Sequence, residues 1–166
     1  ELEGVRVAVT STGIGGPSAA IAVEELHQCG AGTMMRVGTC ASTSPEVSVG
    51  DVVIPSGAVK MEGVSLHYLP VEFPAVPDFQ MLKAIEQAAI NLKYPHNIGV
   101  TITKASFYTQ TAPETKPVGP ELMYKWGAYK KGGASSTSME CSVLFSVGAS
   151  LGIRTACVMA CATDYK

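Results

Sequence analysis

The stretch "VRVAVTSTGIGGPSAAIAVEELHQCGAGTMMRVGTCAS" (residues 5–42) decides the fold class. Residues 5–10 form an apolar, β-branched run of the kind that makes a buried strand. A glycine-rich turn follows. Ala19, Ala22, Val23 and Leu26 then recur at helical spacing. Pro17 suits the first turn of that helix, and Gly30 suits its end. "TMMRV" (33–37) gives a second strand, running into a small-residue turn at 38–42. Strand, helix and strand in this order imply a βαβ unit with a parallel pair. Arg36 stands out, because a guanidinium inside a covered strand needs a partner.

Further along, "GDVVIPSGAV" (50–59) reads as a third strand interrupted at Pro55. Residues 78–93 read as an amphipathic helix with Asp78 as N-cap and Leu82, Ile85, Ala89 and Leu92 facing inward. Residues 97–105 read as a strand, 109–120 as a long polar loop and 120–131 as a helix. Residues 138–152 read as a helix with Val143, Leu144, Val147 and Leu151 inward, and 154–164 as a final core strand. With no repeat and no linker, the expectation is a single α/β domain over 1–166. Its architecture would be three-layer αβα around a mixed, mostly parallel sheet. Because the chain starts at a core strand and stops just after another, the domain is expected to be incomplete at both ends.

Composition narrows the classes. Of 166 residues, 46% are hydrophobic and 16% charged, with a net charge of −2, so no basic footprint for nucleic acid is present. No apolar run approaches a membrane span. Five cysteines (Cys29, Cys40, Cys141, Cys157 and Cys161) at irregular spacing argue against a disulfide framework and for a reducing, cytoplasmic setting. They also lack the His or second Cys pair of a zinc site, so no metal is expected. A chain this apolar is expected to bury more surface as a homo-oligomer.

Four motifs carry candidate chemistry. The turn Gly13-Ile14-Gly15-Gly16 ahead of a helix lets backbone N–H groups approach an anion; it also reads as a tight turn alone. It is neither a Walker loop nor a dinucleotide fingerprint. Arg36 with Gly38 and Thr39 at a strand end could grip an oxyanion, or Arg36 could pair with a carboxylate. Met139-Glu140 at a helix start offers a carboxylate for sugar hydroxyls, or a cap. "SFYTQ" (106–110) sets an aromatic beside an amide, which suits a planar heterocycle, or serves the core.

Taken in order, "VTSTGIGGPSAAIAVEEL", "RVGTCAS", "GVSLHYLPVEFPAV", "SFYTQTAPETKPV" and "SMECSVLF" resemble the nucleoside phosphorylase family, nearest its uridine branch. The resemblance spans essentially the whole chain and implies cleavage of a pyrimidine nucleoside to free base and ribose 1-phosphate. Inorganic phosphate would be the nucleophile and co-substrate, with no metal or organic cofactor. It further implies Arg36, Gly38 and Thr39 on phosphate, and Thr39, Met139 and Glu140 on ribose. Phe107, Gln110, Cys40, Ala41 and Thr163 would line the base. It implies a homodimer, or dimers assembled into a hexamer. The sequence departs from the pattern at Ser138, where the family has a carboxylate, and at Thr111, Ala112 and Pro113, where a base-reading arginine is common. It departs again at Ala162-Thr163-Asp164, where Asp164 could be an acid toward a purine or simply a polar strand end. A purine phosphorylase or nucleosidase, and a weakened nucleoside-binding protein of the same fold, therefore stay open as alternatives.

Overall fold

The computed structural model describes residues 3–165. Five strands form one mixed sheet: β1 (Thr33–Ser42), β2 (Val52–Met61), β3 (His96–Lys104), β4 (Ala134–Ser138) and β5 (Arg154–Asp164). The order is β1-β4-β3-β2-β5, and β5 pairs in turn with β1. Three pairings are parallel: β1 with β5, β2 with β3, and β3 with β4. The antiparallel joins are short. Ala41 and Ser42 of β1 meet Thr137 and Ser136 of β4, and Val52 and Val53 of β2 meet Ala160 and Met159 of β5.

Five helices accompany the strands: α1 (Gly16–Gln28), which precedes β1, and α2 (Phe79–Asn91), α3 (Tyr108–Thr111), α4 (Gly119–Lys131) and α5 (Cys141–Leu151), which lie between strands. α5 is the hub, since every residue from Cys141 to Gly148 is buried. Its Val143, Leu144, Phe145 and Val147 pack with Val53, Cys157 and Met159 of the sheet and with Ala20 and Val23 of α1. Two glycines set how closely the layers approach. A Cβ on Gly16 would lie 2.8 Å from Val143 Cγ2, and one on Gly148 would collide with Thr155 of β5.

Several expectations hold. α1 carries Pro17 in its first turn. It ends as the sequence predicts, with Gly30 at φ 93° donating to His27 O and Ala31 N donating to Leu26 O, a Schellman closure. Asp78 caps α2 by accepting from Met81 N at 2.8 Å. β2 is irregular at Pro55, where its register against β3 shifts.

Other expectations are corrected. Residues 6–10 form no strand, and Val5, Val7 and Val9 are 63%, 58% and 96% exposed. A β-branched run becomes a strand only beside a ladder partner, and none of the described strands pairs with it. The βαβ unit expected there does not form, and β1 takes β5 as its parallel neighbour instead. The turn expected at 38–42 is strand, because β1 continues through a register shift at Cys40/Ala41. The polar loop over 109–120 holds α3 and a 3-10 turn at Pro113–Thr115 before α4 begins. The last helix starts at Cys141, and Leu92 is exposed, beyond the inward stripe of α2. β4, "ASSTS", was not expected at all: its hydroxyl side chains carry no hydrophobic period, yet all five residues are buried.

Gly148→Ala should destabilise the protein by about 1–3 kcal/mol through overpacking against β5. Gly127→Ala on α4, where a Cβ meets nothing within 4 Å, should stabilise by about 0.5–1 kcal/mol. Chemical denaturation of both variants reads the contrast, and equal effects would contradict the packing described.

Candidate active site

Strand alternation puts Met34, Arg36, Gly38 and Cys40 on the inner row of β1 and Met35, Val37 and Thr39 on the exposed row. Arg36 turns back along its own strand. A Cβ on Gly38 would lie 2.6–2.7 Å from the guanidinium atoms, so residue 38 must be small for the arginine to lie there. From this position Arg36 Nη2 donates to Glu140 Oε2 at 2.5 Å, and Nη1 lies 3.7 Å from Cys157 Sγ. The paired side chains are 19% and 7% exposed. Burial works against the charge on Arg36, but Cys157, Cys141 and Glu140 outweigh it and hold its pKa above the ordinary value.

Glu140 is the N-cap residue of α5, yet its carboxylate makes no bond to that helix's own N–H groups. It reaches outward instead. Oε1 accepts from Gly15 N at 2.7 Å, and Oε2 accepts from Met139 N at 3.2 Å as well as from Arg36. Gly15 holds φ 88°, a conformation open to glycine, and Met139 Cε lies alongside it. One carboxylate thus joins three motifs far apart in sequence: the glycine turn, the β1 arginine and the Met139-Glu140 pair.

The expected base-side residues gather less tightly. Cys40 and Ala41 are buried at the end of β1, where Ala41 stands in register with Thr137 on one side and Thr163 on the other. Burial beside Cys161 pushes the Cys40 thiol up to about 12, so it is neutral. Phe107 is half-exposed and meets Tyr108 edge to face at 5.6 Å. Gln110 Oε1 is 3.5 Å from Thr137 Oγ1. Thr163 and Asp164 are exposed at the end of β5, and Asp164 pairs in register with Ser42. Thr39 is not brought beside Arg36, because three residues along a strand reverse the face.

Sequence reasoning missed two residues here. Thr137 lies on the unexpected β4, and Lys104 ends β3, buried, with its ammonium 3.3 Å from Thr137 Oγ1. A lysine closing the apolar run "GVTITK" was the available signal. Among the described residues no group of three or more His, Cys, Asp or Glu could hold a metal ion, and all five cysteines are free thiols.

The site is thus a buried arginine–carboxylate pair at a glycine turn on a mixed α/β sheet. The family model described as the Phosphorylase superfamily matches residues 1–166, and the chain belongs to that family. It is 46% identical over 153 residues to the uridine phosphorylase of Treponema pallidum, covering 92% of this chain and 59% of that protein. It is 38% identical over 161 residues to the uridine phosphorylase of Escherichia coli, covering 95% and 64%. It is 34% identical over 162 residues to a guanosine phosphorylase of Halorubrum lacusprofundi, covering 98% and 62%. The chain thus spans about three fifths of the length of these curated relatives.

Burial pulls the Lys104 ammonium down to about 8, against the attraction of Glu140. Below pH 8 folded and unfolded chains both hold the proton and the burial cost stands in full. Between about 8 and the free lysine value of ~10.4 the unfolded chain holds more protons, so this group's contribution to stability rises with pH. Lys104→Met should therefore raise the melting temperature at pH 7 and lose that advantage toward pH 10. Thermal melts across this range check it, and a pH-independent difference would contradict it.

Proposed function

We propose that the protein cleaves a uridine-type nucleoside by phosphorolysis, giving free pyrimidine and ribose 1-phosphate. The observation that carries the reading is the single carboxylate that ties Arg36 to the Gly15 turn. In this reading the arginine grips the phosphate with its planar fork and Glu140 accepts from a ribose hydroxyl. The reaction stretches the C–N bond toward an oxocarbenium-like sugar. The protein must hold the phosphate dianion against that positive charge and steady the departing base. Gly38 leaves room for the phosphate-gripping side chain, Met139 lies against the sugar, and Phe107, Gln110, Cys40, Ala41 and Thr163 surround the base. Thr39 is given its contact with phosphate and ribose by resemblance alone.

The same reading takes residues 1–166 as one phosphorylase domain of αβα layering, with phosphate as co-substrate and no metal or organic cofactor. It places the protein in the cytoplasm, where five free thiols stay reduced. It also includes a homodimer, or dimers assembled into a hexamer. Exposed Met35 and Val37 on β1, with Ile14 and Ile21 beside the glycine turn, support an apolar contact surface there. A purine substrate is the second reading, favoured by the likeness to a guanosine phosphorylase.

Assays of uridine, thymidine, deoxyuridine and inosine, each with and without phosphate, test the proposal. Phosphate-dependent turnover of uridine is expected; turnover of inosine but not uridine, or turnover without phosphate, would overturn it. Arg36→Ala should raise the phosphate KM or abolish activity, and unchanged phosphate KM and kcat would refute the role given to Arg36.

A further inference from the structure

Helix α5 takes its cap from outside its own sequence. An N-cap side chain ordinarily accepts from the N–H two or three residues ahead, satisfying a donor that the helix itself leaves open. In α5 the N-cap residue is Glu140, and the N–H two residues ahead belongs to Ser142. That N–H donates instead to Thr103 Oγ1 of β3, at 2.9 Å. The Ser142 hydroxyl donates to Oε1 of Glu62, just past the end of β2, also at 2.9 Å. Thr103 and Ser142 are fully buried, so solvent does not compete for the bond between them. The pairing of β3 with β4 brings Thr103 to this place. It stands in register with Ser138, the last residue of β4, two positions before Glu140. Because Thr103 supplies the cap, the Glu140 carboxylate is free to reach Gly15 N, Met139 N and Arg36.

We propose that Thr103 is a positioning residue of the active site: by capping α5 from β3 it keeps Glu140 turned away from its own helix and toward Arg36 and the ribose. The inference rests on the phosphorolysis reading above, in which Glu140 accepts from a ribose hydroxyl. Without the Thr103 hydroxyl, Ser142 N is a buried donor with no acceptor, which costs free energy. Glu62, the other carboxylate at this end of the helix, is already committed to Val64 N, Ser65 N and the Ser142 hydroxyl. The acceptor best placed to answer Ser142 N is then the carboxylate of the N-cap residue, drawn by the positive end of the α5 dipole. Glu140 folds back onto α5 and leaves both Arg36 and the ribose. The guanidinium loses its competing partner and is open to phosphate, while the sugar loses its acceptor. The two substrates therefore respond in opposite directions. Loss of packing alone would weaken both.

The test is a double-mutant cycle on Thr103 and Glu140, read by uridine kinetics and by calorimetric titration of inorganic phosphate. Thr103→Val keeps the side-chain shape and removes the hydroxyl. In it, kcat/KM for uridine should fall about tenfold, the loss of one hydrogen bond to a charged group, while inorganic phosphate binds more tightly than in wild type. Thr103→Ser, which keeps the hydroxyl, should restore both values. In a Glu140→Ala background, where no side-chain acceptor is left to fold back, the Val substitution should change phosphate affinity no further. Thr103→Ala serves if the Val variant does not fold. Weaker phosphate binding together with slower uridine turnover in Thr103→Val, unchanged values for both substrates, or effects that add in the double variant would overturn the role of Thr103 while leaving phosphorolysis intact. A wild-type protein that turns over no pyrimidine nucleoside would overturn both readings.

Discussion

The Arg36–Glu140 ion pair is the contact on which the rest of the site depends. It joins β1 to the head of α5, and the second oxygen of Glu140 holds the glycine turn that opens α1. Packing ties the same region, with Gly16 of α1 against Val143 of α5, and Gly148 of α5 against Thr155 of β5, the strand paired with β1. The pair is mostly buried, so taking away one partner would leave a charge that the interior cannot solvate, at a cost of roughly 3–5 kcal/mol in a fully buried case. A charged pair is a poor choice for stability alone, since apolar groups of similar size often serve as well. Its position at a strand–turn–helix junction suits a different purpose, holding a cation and an anion ready for a ligand that needs both.

Lys104 fits the same logic. Its burial lowers its pKa and costs stability at neutral pH, and only Thr137 answers its donors. A lysine left this way is expensive unless something arrives to use it. The Arg36–Glu140 pair stands at the Gly15 turn, and Lys104 stands by Thr137 and Phe107. The division matches a ligand whose anionic and sugar end lies by Arg36 and Glu140 and whose flat ring lies by Gln110 and Phe107.

Much of this was legible in the sequence because it was written as local chemistry. Asp78 before an amphipathic run marked a cap, and Pro17 with Gly30 bracketed α1. The apolar runs of β2, β3 and β5 announced themselves. Residues 5–10 did too, but a β-branched pattern reports readiness to pair and says nothing of a partner, so a strand was expected where none forms. β4 failed in the opposite sense: Ser and Thr showed no apolar period, and its burial comes from being flanked by β1 and β3. The site residues were recognised as types before they could be placed. Spacing alone could not say that Glu140 would reach Gly15, 125 positions away, or that Arg36 would choose a carboxylate on its own chain. Thr39 was grouped with Arg36 by proximity in sequence, and strand alternation separates them.

The central claim is that Glu140 holds Arg36 where an inorganic phosphate will bind and gives it up to that phosphate. Calorimetric titration of inorganic phosphate into wild-type protein and Glu140→Gln tests it most directly. Removing the competing negative charge while keeping a hydrogen-bond acceptor for Gly15 should tighten phosphate binding. Weaker phosphate binding in Glu140→Gln, or the same affinity in both proteins, would contradict the account.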